Sequence, residues 1–378
     1  MKPEPQFAPY PEARPPVYAR WWISGAVLLA MTGTGGVLLR PFVEPRAGAA
    51  LAAMTLLLWV LVLLLRTLYY RLNRHIAYAY AKETAVLKRR WWTRHRQQAA
   101  LMDFVLIGAL GSTALHWRRV LSRQAQKPPS RHEGAGQAIR LMQVFEQDAG
   151  DRECELARQL AMEWVRQRQE PGALAPLRCY WQGSPAGWSC FAEQMALDCP
   201  DMSLPEQPEP WRGVASLDSI IDLLQDAPRD ARVLCAGSQS TTARAEAPLP
   251  AGEAAVLWLL GPHGGSVRVS RGEWYATDQE PLADVARRAL QQAELEKPAE
   301  ACIAFSQPSL TELSELGWNL TQHQQDDNWG ELEGLQPLVV LTLAACHAQQ
   351  HGKPCAWLAT DPENTLAFGV VRPNEEPV

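Results

Sequence analysis

Two stretches, Trp21 to Leu39 (WWISGAVLLAMTGTGGVLL) and Ala47 to Leu65 (AGAALAAMTLLLWVLVLLL), each run for 19 residues without a charge. A hydrocarbon core of about 30 Å needs roughly 20 such residues at about 1.5 Å rise. The spacing therefore predicts a transmembrane helical hairpin over residues 21–70, closed by the short link RPFVEPR. A pair of buried core helices is the alternative, and tryptophans and tyrosines at the ends of the runs speak against it. Within the first run, TGTGG offers a small-residue face for packing on the second helix or on another copy.

Charge sets the orientation. Residues 66 to 96 hold nine Lys or Arg against the single acid Glu83, and the proline-rich tail 1–20, expected to be disordered, adds Lys2, Arg14 and Arg20. The link between the runs has only Arg40 and Arg46. The positive-inside rule then puts both termini and the C-terminal domain in the cytoplasm of a bacterial inner membrane. Residues 71–98 are expected to continue as a basic helix, so that residues 21–96 as a whole contact membrane lipids, anionic headgroups included. A net charge of -5 argues against a nucleic-acid protein, and although aromatic and basic residues alternate in the basic stretch as in a nucleic-acid patch, its place beside a membrane helix favours lipid headgroups. The eight cysteines form no CxxC pair and read as reduced, buried thiols.

The stretch LMDFVLIGALGSTALHW, Leu101 to Trp117, decides the topology of the rest. Its uncharged apolar part, Phe104 to Leu115, is too short for a third span. It reads instead as strand, glycine turn and helix start. Beyond it, strand-like segments (LRCYWQG, ARVLCAGS, EAAVLWLLG, ACIAFS, CAWLATDP, TLAFGVVRP) alternate with helix-like ones (SLDSIIDLLQDA, PLADVARRALQQAEL, LQPLVVLTLAACHAQQHG). That alternation predicts an α/β domain over residues 99–373, its mixed sheet buried between helices. EAAVLWLLG and SVRVSRGEW, joined at PHGG, are expected to pair as a hairpin.

Several constellations invite chemistry. His347 and His351 stand at i, i+4 with Cys346 and Cys355 nearby, a conceivable zinc set, although Gly352 also marks a plain helix end. No metal and no cofactor is expected. The glycines of GPHGGS lie between strands, as in a turn, and not before a helix, as in a phosphate loop. DCPDMSLPEQPEPWRG, Asp198 to Gly213, is either a protein-binding loop or an ordered connection.

The ordered series MDFVLIGALGSTALHWRRVL, then ARVLCAGSQS and LPAGEAAVLWLLG, then PLADVARRALQQAEL with ACIAFSQPSLTELSELGWNL, then NWGELEGLQPLVVLTLAACHAQQHG, resembles the β-ketoacyl synthases of the thiolase-like fold. The resemblance covers about residues 100 to 373, discontinuously, and no single motif in it is specific. It implies a two-half α/β/α domain, the halves packed face to face, with a possible homodimer; with the hairpin read above, the expected fold is two N-terminal transmembrane helices followed by this thiolase-like α/β domain. It also implies a nucleophilic cysteine at the start of a buried helix, where this chain has Val214, Ala215 and Ser216. The family's first histidine falls in AFSQPSLTE, and its second at Asp326 or Asp327. With all three substituted, loss of condensation is expected, and the chain is read as no enzyme.

Two residues remain as candidate nucleophiles. Cys190 begins a helix-like stretch, and Ser216 is either a nucleophile or an N-cap before Asp218. Membrane anchor plus degenerate thiolase-like domain also resembles, in layout, the adaptors of lipase effectors of the bacterial type VI secretion system. That second resemblance implies a protein partner, an effector or a spike protein. The alternative is a membrane-bound acyltransferase or hydrolase with a remodelled pocket.

Overall fold

The computed structural model describes residues 4–38, 45–168, 174–277, 279–306 and 310–374. Contacts divide the chain into two units, Lys2–Thr93 and Arg94–Val378. The first is built on α1 (Tyr18–Leu38) and on α2 (Pro45–His95), a single helix of 51 residues that takes in the basic stretch as far as His95 and stops short of the expected residue 98. Most of the RPFVEPR link lies outside the described residues.

Among the described residues one helix, α2, is long and apolar enough to cross a membrane by length and composition. Of the two spans read from the sequence, the described residues show this one. On α2 the leucines at 57, 58, 61 and 64 are all exposed, with no protein surface over them among the described residues. Close packing of α1 on α2 falls at Gly25, where a Cβ would stand 2.7 Å from the Trp59 ring, and not at Gly33 or Gly35, whose Cβ positions are open. The proline-rich start, expected to be disordered, runs along α2: Ala13 N–H donates to Asn73 Oδ1 at 2.7 Å, Arg66 to the Arg14 carbonyl at 2.8 Å and Tyr80 to the Ala8 carbonyl at 3.0 Å.

The second unit is mixed α/β. It runs β1 (Gln98–Gly108), α3 (Ala114–Leu121), the small pair β2 (Arg131–Glu133) and β3 (Gly136–Ala138), α4 (Ala149–Gln167), β4 (Arg178–Gln182) and α5 (Pro185–Asp198). Then come β5 (Glu209–Pro210), α6 (Val214–Gln225), β6 (Val233–Ser240) and β7 (Glu253–Gly261). The remainder is β8 (Val267–Ser270), β9 (Glu273–Tyr275), α7 (Leu282–Gln292), β10 (Ala301–Ala304), α8 (Leu310–Glu315), β11 (His323–Gln324), α9 (Asp326–Trp329), α10 (Gln336–His351), β12 (Cys355–Ala359) and β13 (Leu366–Pro373). Leu101 to Trp117 is accordingly a strand, a turn and a helix start.

Among the described residues one sheet runs β11-β10-β12-β13-β8-β1-β7-β6-β4-β5, with β9 on β13. Its two ends are alike. Taking β1 and β8 as the first strand of each half, both halves follow the order third, second, fourth, fifth, first. In both, the fifth strand (β7 or β13) is antiparallel to its two neighbours. The halves meet where β1 pairs antiparallel with β8, Gln98 opposite Ser270. The expected hairpin of β7 with β8 does not form, because β1 lies between them and bonds to both. The outer edge at β5 is two residues long and ends in Pro210, which blunts it for pairing with another sheet.

Strand alternation assigns the layers. Val233 and Cys235 of β6, and Val256, Trp258 and Leu260 of β7, face a shared core with α3, α6 and α10. Their neighbours Leu234, Ala236, Ala255 and Leu257 face α4 and α5 on the opposite side. In the second half Ala356, Leu358, Phe368 and Val370 face α7 and Trp318. Helix α10 has no polar stripe: Pro337 through Cys346 are buried without a break, as a helix enclosed on all sides requires. Trp258 on β7 donates its indole N–H to Thr342 Oγ1 on α10 at 2.7 Å, tying the halves together inside that layer.

Candidate functional site

Parallel strands β10, β11 and β12 end level with one another, Ala304 opposite Gln324 on one side and Leu358 on the other. Neighbouring strands lie about 4.8 Å apart, so the residues two positions further on, Ser306, Asp326 and Thr360, emerge together. Such carboxyl ends are where open α/β sheets present ligand-binding groups. Asp326, only 8% exposed, accepts from Ser306 N–H at 3.1 and 3.0 Å, one bond to each carboxylate oxygen. Ser306 Oγ, on an exposed residue, also donates to it at 3.1 Å. Thr360 donates from its N–H and its hydroxyl to Gln336 Oε1, at the start of α10, at 3.2 and 2.6 Å.

One residue further, Asp361 closes the group against α6. Its Oδ2 accepts from Val214 N–H at 3.0 Å, at the end of the helix where free N–H groups and the dipole favour negative charge. Its Oδ1 takes Glu363 N–H at 3.1 Å and the Asn364 amide at 2.8 Å. The N-cap of α6 is Gly213 at φ 59°, and a Cβ there would fall 2.1 Å from Asp361 Oδ2, so the carboxylate needs the missing side chain.

The sequence candidates are placed as follows. Ser216 is not the N-cap. It sits in the first turn of α6, 4% exposed, and its Oγ accepts from the Arg212 backbone N–H at 2.8 Å. Cys190 is joined to Cys154 in a disulfide, which removes it as a thiol nucleophile. This also corrects the reading of eight reduced cysteines, because facing helices α4 and α5 bring the two Cα atoms to 5.5 Å. The other six are buried. Burial pushes the Cys179 and Cys346 thiols up to about 12 and those of Cys235, Cys302 and Cys355 well above their ordinary range, away from thiolate chemistry.

Asp327 is exposed and pairs with Lys127. The rings of His347 and His351 lie 4.3 Å apart between centroids and are tilted by 38°, and that of His323 on β11 lies 5.6 Å from His347. Burial, followed by the charges of His351 and His323, lowers His347 to about 4. Among the described residues no three His, Cys, Asp or Glu side chains are arranged to hold a metal.

Sequence reasoning missed Ser306, Gln336 and Asp361. The available signal was a polar residue directly after each of two short apolar strands, ACIAFS and CAWLATD, which marks the carboxyl end of a parallel sheet.

No protein-family model and no curated protein matches the sequence. Among solved structures, the chain is similar to the acyltransferase ChlB3 at 15% identity, TM-score 0.43, over 73% of this chain and 98% of that one. PksG, an HMG-CoA synthase from Bacillus subtilis, matches at 12% identity and TM-score 0.44 over 73% and 80%. A ketosynthase from module 1 of the bacillaene synthase of Bacillus amyloliquefaciens matches at 10% identity and TM-score 0.47 over 75% and 77%. These likenesses concern the fold alone, and no residue role passes from them to this chain.

The reading of the chain as no enzyme is nonetheless corrected, because its reasoning was too narrow. Substitution of a cysteine and two histidines removes one mechanism and leaves others open. The resemblance to type VI secretion adaptors is not supported by these structures.

Proposed function

We propose that this chain is a membrane-tethered acyltransferase or hydrolase on a thiolase-like scaffold, working through Ser306 and Asp326. The scaffold reading is supported by the repeated strand order of the two halves. The observation that carries the chemistry is the accessible Ser306 hydroxyl held at 3.1 Å by the buried Asp326 carboxylate, within the reach a general base requires. Ser306 Oγ adds to the acyl carbonyl while its proton passes to Asp326. The tetrahedral adduct then expels the thiol or alcohol, which takes that proton. Water or an acceptor hydroxyl, deprotonated in turn by Asp326, releases the acyl group and restores Ser306.

Full-length protein in detergent, given an acyl thioester and a nitrophenyl ester, tests this by turnover and by peptide mass. An acyl adduct on the Ser306 peptide is expected, with turnover about 10²- to 10⁴-fold lower in Asp326→Asn. No turnover in the wild type, or equal turnover in Ser306→Ala, overturns it.

The tether is α2, with α1 as a second span and the domain on the cytoplasmic side of a bacterial inner membrane. That placement is supported by the charge asymmetry of residues 66 to 96. Cysteine usage adds nothing to it, because a Cys154–Cys190 disulfide suits an oxidising compartment. Reporter fusions at residue 378 that are active only outside the cytoplasm would reverse it.

Recruitment of a protein partner, such as a secreted effector or spike protein, is a second reading. It is supported by a surface groove of about 490 Å³ between α5 and the following loop, lined by Trp188, Ala192, Ala196, Met202 and Leu204 and flanked by Glu193 and Glu206. Crosslinking of the full chain in native cells should capture one abundant partner, and Ala192→Arg should lose it. Capture of none sinks this reading.

A further inference from the structure

The proline-rich segment occupies a single face of α2, through Arg66, Asn73 and Tyr80, which recur every two helical turns. A neighbouring face is left open. Arg71, Arg74, His75 and Tyr78 fall at i, i+3, i+4 and i+7, so their side chains line one stripe. Tyr70 and, from the first turn of α1, Tyr18 complete a groove of about 480 Å³ around them. Both arginines are exposed, and neither they nor His75 has an ion pair or hydrogen bond among the described residues. The described acids of this unit, Glu4, Glu12 and Glu83, are not part of the lining, and Glu4 faces Lys88.

Depth and surroundings identify the occupant. Arg71 to His75 lie about 9–15 Å along the helix beyond Leu65, the end of the uncharged run. That is the level of the headgroup layer when the run fills the hydrocarbon core. One and two turns toward the core on the same stripe stand Leu68 and Leu64, 54% and 60% exposed, an apolar track for an acyl chain. Tyrosines belong at this boundary because their rings sit in the apolar edge and their hydroxyls in water. Two guanidinium forks converging on one groove suit a phosphate with two free oxygens.

We propose that Tyr18, Tyr70, Arg71, Arg74, His75 and Tyr78 form a binding site for the phosphate of an anionic phospholipid. This rests on the reading of α2 as a membrane span. The site holds one lipid in register with the helix, beyond the diffuse attraction that any basic stretch exerts on an anionic surface.

Native mass spectrometry of the full-length protein in detergent, titrated separately with short-chain phosphatidylglycerol and phosphatidylcholine, tests it. Retention of phosphatidylglycerol should exceed that of phosphatidylcholine by about tenfold in the wild type. Arg71→Gln with Arg74→Gln should abolish the preference, while Arg89→Gln with Arg90→Gln, further along the same helix, should preserve it. Equal retention of both lipids, or equal loss in both double variants, overturns the proposal. Displacement of the lipid by inorganic phosphate overturns the lipid assignment. Carbonate extraction of cell membranes separates this from the underlying reading: release of the protein refutes the span, whereas retention without lipid preference refutes the site alone.

Discussion

The N-terminal half of the domain, residues 98–261, and the C-terminal half, 267–373, lay out their strands in the same order, yet their outer walls are built differently. The first is covered by α4 and α5, of 19 and 14 residues, and is cross-linked by the Cys154–Cys190 disulfide. It also holds a buried ionic bolt, in which Arg152 makes two 2.8 Å bonds to Glu253. The second is covered by α7 and α8, of 11 and 6 residues; it has no such cross-link among the described residues, and joins apolar contacts such as Trp318 on Phe368 at 5.6 Å to an ionic set of its own, Arg288 with Glu273 and Glu280 at 2.8 Å. The order of strands is therefore separable from the means of closing the outer layer. What both halves share is the inner layer, where α6 and α10 meet and the polar group at Ser306, Asp326 and Asp361 is assembled.

Glu253→Ala should have the largest effect on this comparison. It leaves Arg152 buried without its counter-charge, a loss on the order of 3–5 kcal/mol. Because β1 joins both halves, denaturant unfolding should remain a single transition at lower midpoint. A second transition, with the C-terminal half persisting, would show that the halves fold separately.

A smaller loss, about 1 kcal/mol, is expected for Asp361→Ala, which removes the side-chain acceptor at the start of α6. Because Asp361 comes from one half and α6 from the other, hydrogen exchange should quicken in α6 more than in α7. Equal exchange in both would detach Asp361 from α6.

The smallest effect is pH-linked and belongs to the C-terminal half. His347 is lowered to about 4 from an ordinary 6.5, by burial and then by His351 and His323. Between those values the unfolded chain takes up a proton that the folded chain refuses, so stability falls as pH drops from 6.5 toward 4. His347→Gln should flatten the melting temperature across that window, and an unchanged slope would assign the dependence elsewhere.

The α/β alternation was legible because strands buried on both faces are short, apolar and rich in branched residues, as VLWLL in β7 is. Helix α10 could be recognised as buried for the same reason. Pairing was not legible: nothing local in PHGG reveals that β1, from far earlier in the chain, separates β7 from β8. The site was half legible. Asp326 was singled out by its segment, but its bond to Ser306 depends on register between β10 and β11. The disulfide escaped notice because Cys154 and Cys190 meet only through the packing of two helices.

Strand β1 has a consequence for biogenesis. It is the first strand of the domain to leave the ribosome, and its partners on either side do not begin until residues 253 and 267. At translation rates of about 5–20 residues per second, roughly ten to thirty seconds pass before either edge of β1 can be satisfied. Throughout that interval its apolar run Phe104–Ile107 stands without a partner strand. The chain therefore asks for a holding chaperone, so that the seam of the domain is not spent on aggregation.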